Sequence, residues 1–319
     1  MKEIRIEKND SGQRLDKFLQ KYLKEASKSF LYKMLRKKNI KLNDKRAEGR
    51  EVLKVGDRVS IYFSDETLKR FRGMQSETCY PIIKLDILYE DDEVAIINKP
   101  VGMLSQKAKK EDITLVEYFL GYVQKEGKWK PGGSFTPAVC NRLDRNTSGV
   151  VIAGKSLSGL QKMSELLKER SIDKYYKTIV QGVMEERSVI RGYLSKDEKN
   201  NKVTIYDEDG PGRSYIETAY EPLVSNGKYT LLQVKLITGK THQIRGHLSS
   251  IGHPLLGDVK YGGKKVEGER SFFLHAELIR FPKLEGAFVR LSEREIRAPL
   301  PTRFEKMIQC LFGKRGYEE

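Results

Sequence analysis

The chain has 319 residues, with 60 Lys+Arg against 44 Asp+Glu, a net charge of +16 and a pI near 9.5. Its 38% hydrophobic and 33% charged residues suit a folded protein of one large and one small domain, or two medium ones, and apolar runs such as "GVVIAG" are too short to span a membrane. Three scattered cysteines (Cys79, Cys140, Cys310) exclude a disulfide framework and a paired-cysteine metal knuckle, and the charged opening "MKEIRIEKND" is no signal peptide. A reduced, cytoplasmic, monomeric protein without a membrane partner is expected. The positive excess points to a polyanion, because each phosphate neutralised releases counterions. A merely soluble basic protein is the alternative on charge alone.

In chain order, residues 1–64 read as a separate α+β module. The first 65 residues hold 18 basic and 10 acidic side chains, half of the chain's positive excess. Leu15, Phe18, Leu19, Tyr22 and Leu23 share one face of a helix. A second helix follows Ser27, an N-cap candidate, with Phe30, Leu31, Met34 and Leu35 inward and Lys28, Lys33, Arg36 and Lys37 on the other face. "NIKLNDKRA" and "VLKVGDRVSIYF" predict short strands. Such a basic face can be merely solvated, or it can read RNA; clustering beside a turn, without interleaved acids, favours the second. Residues 65–84 lack clean periodicity and read as a linker.

Residues 85–312 form the main domain and are strand-rich. "ILYEDDEVAIINKP" predicts strand, turn, strand and a Pro-Val-Gly bend. Helices are expected near 113–125 and 156–170. Four successive strand candidates follow, "YYKTIVQGVM", "KVTIYDEDG", "SYIETAYEPL" and "YTLLQVKLITG", which favours antiparallel pairing over βαβ crossovers. The tail 313–319 is expected to fray.

Gly239-Lys240-Thr241 imitates the end of a phosphate-binding loop, but Val234 stands where its first glycine belongs, so no nucleotide cofactor is implied. His242, His247, His253 and His275 share no metal-ligand spacing and read as packed or hydrogen-bonded residues. Asp144 in "CNRLDRNTSGVVIAG" lies between Arg142 and Arg145. It can be a turn or cap residue. It can also be a reactive carboxylate, kept ionised by a cation: Arg142, Arg145 or the distant Arg245.

"NRLDRNTSG" resembles the RLD-x-x-TSG signature of the RluA-type pseudouridine synthases, which isomerise uridine in structured RNA. "YEDDEVAIINKPVGMLS", "KYYKTIVQG", "LITGKTHQIRGHLSSIGHPLLGDVKYG" and "FFLHAELIRF" resemble further blocks of that family, in its order, over residues 85–282. Residues 12–62 resemble the alpha-L type RNA-binding module. The resemblance implies a mixed α/β domain with a largely antiparallel central sheet and an RNA cleft crossing it at Asp144. It further implies Asp144 as the catalytic aspartate, Arg245 as its partner, Tyr176 stacked on the target base, and Arg142 in the space left by the flipped nucleotide. Lys174 and the module's Lys33, Arg36 and Lys37 are candidate RNA contacts. Asn141, Lys240 and Thr178 depart from the family's usual His, Arg and small apolar residue.

The implied reaction is uridine-to-pseudouridine isomerisation, in large-subunit ribosomal RNA as in relatives with this domain pairing. It needs no metal or cofactor, because nothing is oxidised or hydrolysed. A catalytically silent ribosome-assembly factor is the alternative, and would be expected to carry a damaged Asp/Tyr/Arg set. An RNA N-glycosidase would need a second acid-base group to activate water, and none stands out near "NRLDRNTSG".

Overall fold

The computed structural model describes residues 1–72 and 79–313. The tail from Lys314, expected to fray, lies outside them.

The module is built from β1 (Lys2–Arg5), α1 (Leu15–Tyr22), α2 (Lys28–Arg36), β2 (Ile40–Leu42), β3 (Lys45–Arg46) and β4 (Arg58–Ile61), with sheet order β1-β4-β2-β3. Both helices fold where their apolar spacing predicts. Leu15, Phe18, Leu19 and Tyr22 of α1 and Leu31 and Leu35 of α2 are buried in one core with Ile40, Val59 and Ile61. The Ser27 hydroxyl accepts the Phe30 N–H and caps α2, and Lys33, Arg36 and Lys37 are exposed on its outer face.

The stretch read as linker begins with a helix, α3 (Asp65–Arg72). Acidic Asp65 and Glu66 sit in its first turn and Lys69, Arg70 and Arg72 in its last, the order that suits the helix dipole. Phe71 packs against Phe30 at 4.6 Å between ring centres, and the Glu25 N–H donates to the Phe71 carbonyl. Among the described residues of this segment only Leu68 and Phe71 join the module's core, too few to register as periodicity.

The main domain opens with β5 (Ile87–Glu90), β6 (Val94–Lys99), α4 (Leu115–Lys125), β7 (Ala138–Val139), β8 (Ser148–Gly154) and α5 (Leu157–Lys168). Then follow β9 (Asp173–Gln181), β10 (Ser188–Asp197), β11 (Lys202–Tyr206), β12 (Ser214–Ser225) and β13 (Tyr229–Leu236). The chain closes with α6 (Gln243–Ser250), β14 (Leu274–Arg280), β15 (Glu295–Arg297) and α7 (Thr302–Phe312). The sheet runs β11-β10-β12-β13-β9-β14-β8-β6-β5, with β7 and β15 on the sides of β8 and β14. All pairs are antiparallel except β14 with β8. α4 covers one face through Leu115, Phe119, Leu120 and Val123, and α5 reaches the other through Met163 and Leu166. β6 and β8 are buried nearly throughout because both faces are covered, so they read as continuous apolar runs instead of alternating ones.

The parallel pair explains the Thr-Ser-Gly that follows Asp144. Ser148 lies opposite His275 and Gly149 opposite Ala276. A Cβ on Gly149 would run into the Ala276 carbonyl, and its φ of +110° is one that side chains avoid. The Ser148 hydroxyl bonds His275 Nδ1 at 2.8 Å, while His275 Nε2 faces the Ala298 carbonyl at 3.2 Å. The loop carrying Asp144 is thereby anchored where it enters the sheet.

Module and main domain meet along residues 8–13. Lys8 pairs with Glu93, Gln13 reaches Ser134 at 3.4 Å, Asp10 accepts from the Ser134 hydroxyl, and the Asn9 side chain accepts the Leu157 N–H.

Candidate active site

Asp144 sits in the loop between β7 and β8, and a second loop braces it from behind. Ser105 both donates to the Leu143 carbonyl (2.8 Å) and accepts the Leu143 N–H (3.0 Å). The Gly102 N–H donates to the Arg145 carbonyl at 2.8 Å, and Arg145 Nε returns a bond to the Gly102 carbonyl at 3.1 Å. Lys99, fully buried, points its ammonium at the carbonyls of Pro100, Met103 and Arg145. Burial pushes its pKa down to about 7, against the pull of the Asp144 charge. The Asn-Lys-Pro bend is therefore the strap that holds the Asp144 loop, a role its sequence position did not reveal.

Neither flanking arginine touches the Asp144 carboxylate. Arg142 is exposed and faces Gln106 at 3.3 Å, and Arg145 is turned back onto Gly102. The cation that meets Asp144 comes from 101 residues away: Arg245 Nη1 donates to Asp144 Oδ2 at 3.0 Å. Arg245 stands in the first turn of α6, and its other donors form a fork on Asp258, with Nε–Oδ2 at 2.7 Å and Nη2–Oδ1 at 2.9 Å. Its guanidinium also packs over the rings of Phe272 (4.3 Å) and Tyr261 (4.9 Å). Burial opposes the charge on Arg245, yet the two carboxylates hold its pKa above the ordinary arginine value. A bidentate fork with a third donor to spare is geometry that only arginine offers.

Asp144 Oδ2 is thus occupied, and among the described residues Oδ1 accepts no hydrogen bond. Asp144 borders a cleft of about 790 Å³ that Tyr176, Lys174, Arg142 and Arg245 also line. Tyr176 is held mid-strand in β9, opposite Val234 of β13 and Ala276 of β14. Burial, with the Asp144 charge adding to it, raises its pKa, so it remains a neutral phenol. Its hydroxyl bonds no described residue; the ring is packed into the main core, only 6% exposed, and reaches the cleft at its edge. Burial lowers the pKa of Lys174, with the Arg170 charge adding to the effect. Lys107, Lys168, Arg170, Lys196, Lys240 and Lys260 add positive charge to the cleft wall, a surface suited to a polyphosphate backbone. Lys33, Arg36 and Lys37 lie on the module, outside the cleft lining.

Asn141 also borders the cleft, but its side chain is spent on the sheet, where Oδ1 accepts the Ile152 N–H at 2.7 Å. Thr178, the other departure on a strand, donates to the Phe273 carbonyl at 2.7 Å. Both differences from the usual pattern are absorbed as backbone contacts.

Comparison with known proteins bears on the family. A family model described as RNA pseudouridylate synthase matches residues 93–250. The ribosomal large subunit pseudouridine synthase C of Vibrio vulnificus is 32% identical over 98% of this chain and 97% of that one. The chain belongs to the RluA-type family of RNA pseudouridine synthases. The synthase of the same description from Vibrio cholerae is 31% identical over 96% of this chain and 95% of its own length. Among solved structures, human RNA pseudouridylate synthase domain containing 4 matches with a TM-score of 0.58 at 24% identity, covering 70% of this chain and 92% of that one. The mixed, largely antiparallel sheet expected from the motifs is the pseudouridine synthase fold observed.

Two buried histidines of this synthase give its stability a pH dependence. Burial pushes His242 and His247 down to about 4, below the ordinary value of 6.5. The unfolded chain binds those protons first, so this contribution is complete above pH 6.5 and is lost as pH falls toward 4. The cost at pH 5 is roughly 2 kcal/mol for His247, whose shift comes from burial alone, and His242 adds to it in the same direction. Thermal melts at pH 7.5 and pH 5 should show a melting temperature several degrees lower at pH 5, with His247→Gln reducing the difference.

Proposed function

We propose that this synthase isomerises uridine to pseudouridine in large-subunit ribosomal RNA, acting as a cytoplasmic monomer with Asp144 as the catalytic carboxylate. The observation that carries this reading is the Asp144 carboxylate itself, with one oxygen held by Arg245 and the other open to a basic cleft beside Tyr176. The similarity to large-subunit synthases over nearly the whole chain supports the choice of RNA.

The reaction breaks the C1′–N1 bond, turns the uracil, joins C5 to C1′, releases the C5 proton and places a proton on the freed N1. An ionised carboxylate at the sugar serves it by attacking C1′ or by removing the C2′ proton, and either route uses the open oxygen. The uridine must leave its stack, at a cost of a few kcal/mol. The Tyr176 ring offsets that cost by stacking on the uracil, worth about 1–3 kcal/mol, and Arg142, exposed at the rim and bonded there only to Gln106 among the described residues, enters the vacated space. Lys174 contacts phosphate within the cleft. The amino-terminal module adds affinity through Lys33, Arg36 and Lys37, without itself selecting the base.

Uridine labelled with tritium at C5 tests this, because forming the C5–C1′ bond ejects the label. Transcripts of large-subunit RNA, small-subunit RNA and transfer RNA are each incubated with the protein. Release from large-subunit RNA alone is expected. Release confined to transfer RNA or small-subunit RNA would overturn the choice of substrate.

A further inference from the structure

His242 belongs to no role derived so far. It caps α6 in a left-handed conformation (φ 54°), is nearly fully buried, and stands one turn before Arg245. Its Nδ1 lies 2.9 Å from the Tyr261 hydroxyl, and its Nε2 lies 3.6 Å from Asp144 Oδ2, the oxygen that Arg245 holds.

The protons of this chain can be assigned by elimination. The Val203 N–H donates to the Tyr261 hydroxyl oxygen at 2.9 Å. A backbone amide only donates, so the phenol must use its own hydrogen elsewhere, and His242 Nδ1 is the acceptor within reach. The neutral ring then carries its hydrogen on Nε2. The opposite tautomer would strand the phenol hydrogen and aim a nitrogen lone pair at a carboxylate, which is repulsive. Burial keeps the ring neutral at pH 7, so Nε2 offers a dipole and not a second positive charge.

We infer that His242 is a positioning residue for the isomerisation, a neutral Nε2–H donor that steadies Asp144 Oδ2 beside Arg245 and keeps the other oxygen turned to the substrate. The separation of 3.6 Å is longer than a hydrogen bond and closes by a small movement of the carboxylate toward the ring. Tyr261 fixes the tautomer, and Tyr261 is itself held by Val203 of the β10–β11 hairpin. That hairpin lines the cleft through Lys196 and is tied down by Lys260, whose ammonium donates to the carbonyls of Asn200 and Asn201. The hairpin's seat over the RNA cleft is thereby linked to the carboxylate through Tyr261 and His242.

This inference rests on the proposed function, and two substitutions test it apart from that reading. Asparagine reaches about as far as Nδ1 and tolerates the left-handed backbone, so His242→Asn can keep the Tyr261 contact while offering nothing to Asp144. Glutamine reaches about as far as Nε2 and offers an amide N–H to the carboxylate. In tritium release from large-subunit RNA, His242→Asn should lose on the order of 10-fold or more in kcat with KM and melting temperature near wild type, and His242→Gln should recover most of that loss. An Asn variant with wild-type kcat would overturn the positioning role. Asn and Gln variants equally slow, both melting lower, would show that the ring only fills space and would overturn it too. A wild-type protein that releases no tritium would overturn the proposed function, and the positioning role with it.

Discussion

Asp144→Ala should silence the protein without unfolding it or releasing its RNA. Turnover is expected to fall by at least about 10³-fold, since the proposed mechanism has no second group to take the place of the carboxylate. The fold should tolerate the change, because the side chain is partly exposed and Arg245 keeps its fork on Asp258. RNA affinity should hold or rise slightly, since a negative charge leaves a basic cleft. Single-turnover tritium release, filter binding and a thermal melt measure the three. Parallel losses in all of them would mean that Asp144 is a structural residue.

Arg245→Met should cost both activity and stability. The Asp258 side chain is only 2% exposed and would be left as a buried charge without its cation, a change costing about 3–5 kcal/mol. Asp144 would lose its only charged hydrogen bond among the described residues, so turnover should drop steeply as well. Arg245→Lys should rescue little, because one ammonium cannot fork onto Asp258 and reach Asp144 together. Adding Asp258→Asn to Arg245→Met should recover part of the stability and none of the activity. That split, read from denaturant melts and tritium release, separates the structural carboxylate from the catalytic one. Equal recovery of both would place the two carboxylates in the same role.

Where the sequence was legible, its signals were local. The helix of Leu15 to Tyr22, the cap at Ser27 and four of the five successive strands from Asp173 onward follow from spacing that each segment carries in itself; β10 (Ser188–Asp197) lies outside the strands expected. The residues singled out in the motif blocks, Asp144, Tyr176, Arg245, Arg142 and Lys174, line one cleft. What stayed hidden was which groups meet across the fold. Spacing alone offered Arg142 and Arg145 as cations for Asp144 and only the family resemblance pointed to Arg245; the two flanking arginines turn to Gln106 and Gly102, and Arg245 meets the carboxylate from α6. Asp258, Lys99 and Ser105 act only through contacts made after folding. Lys99 alone carried a hint, as a lysine at the inner end of an apolar strand. His242 shares no metal-ligand spacing with the other histidines, and its approach to Tyr261 and Asp144 exists only in the folded chain. Helix α3 escaped because two apolar residues among many charges make no stripe.

The most direct test of the central claim is the fate of the uracil in large-subunit RNA labelled at C5. After incubation with the wild-type protein, tritium in solvent is compared with pseudouridine recovered from the digested RNA and with free uracil. The account predicts tritium release matched one for one by pseudouridine, with no free uracil. Free uracil still carrying its tritium would make the protein a hydrolase. Tight, salt-sensitive RNA binding with no release from any RNA would make it a silent binder, and either result would contradict the account.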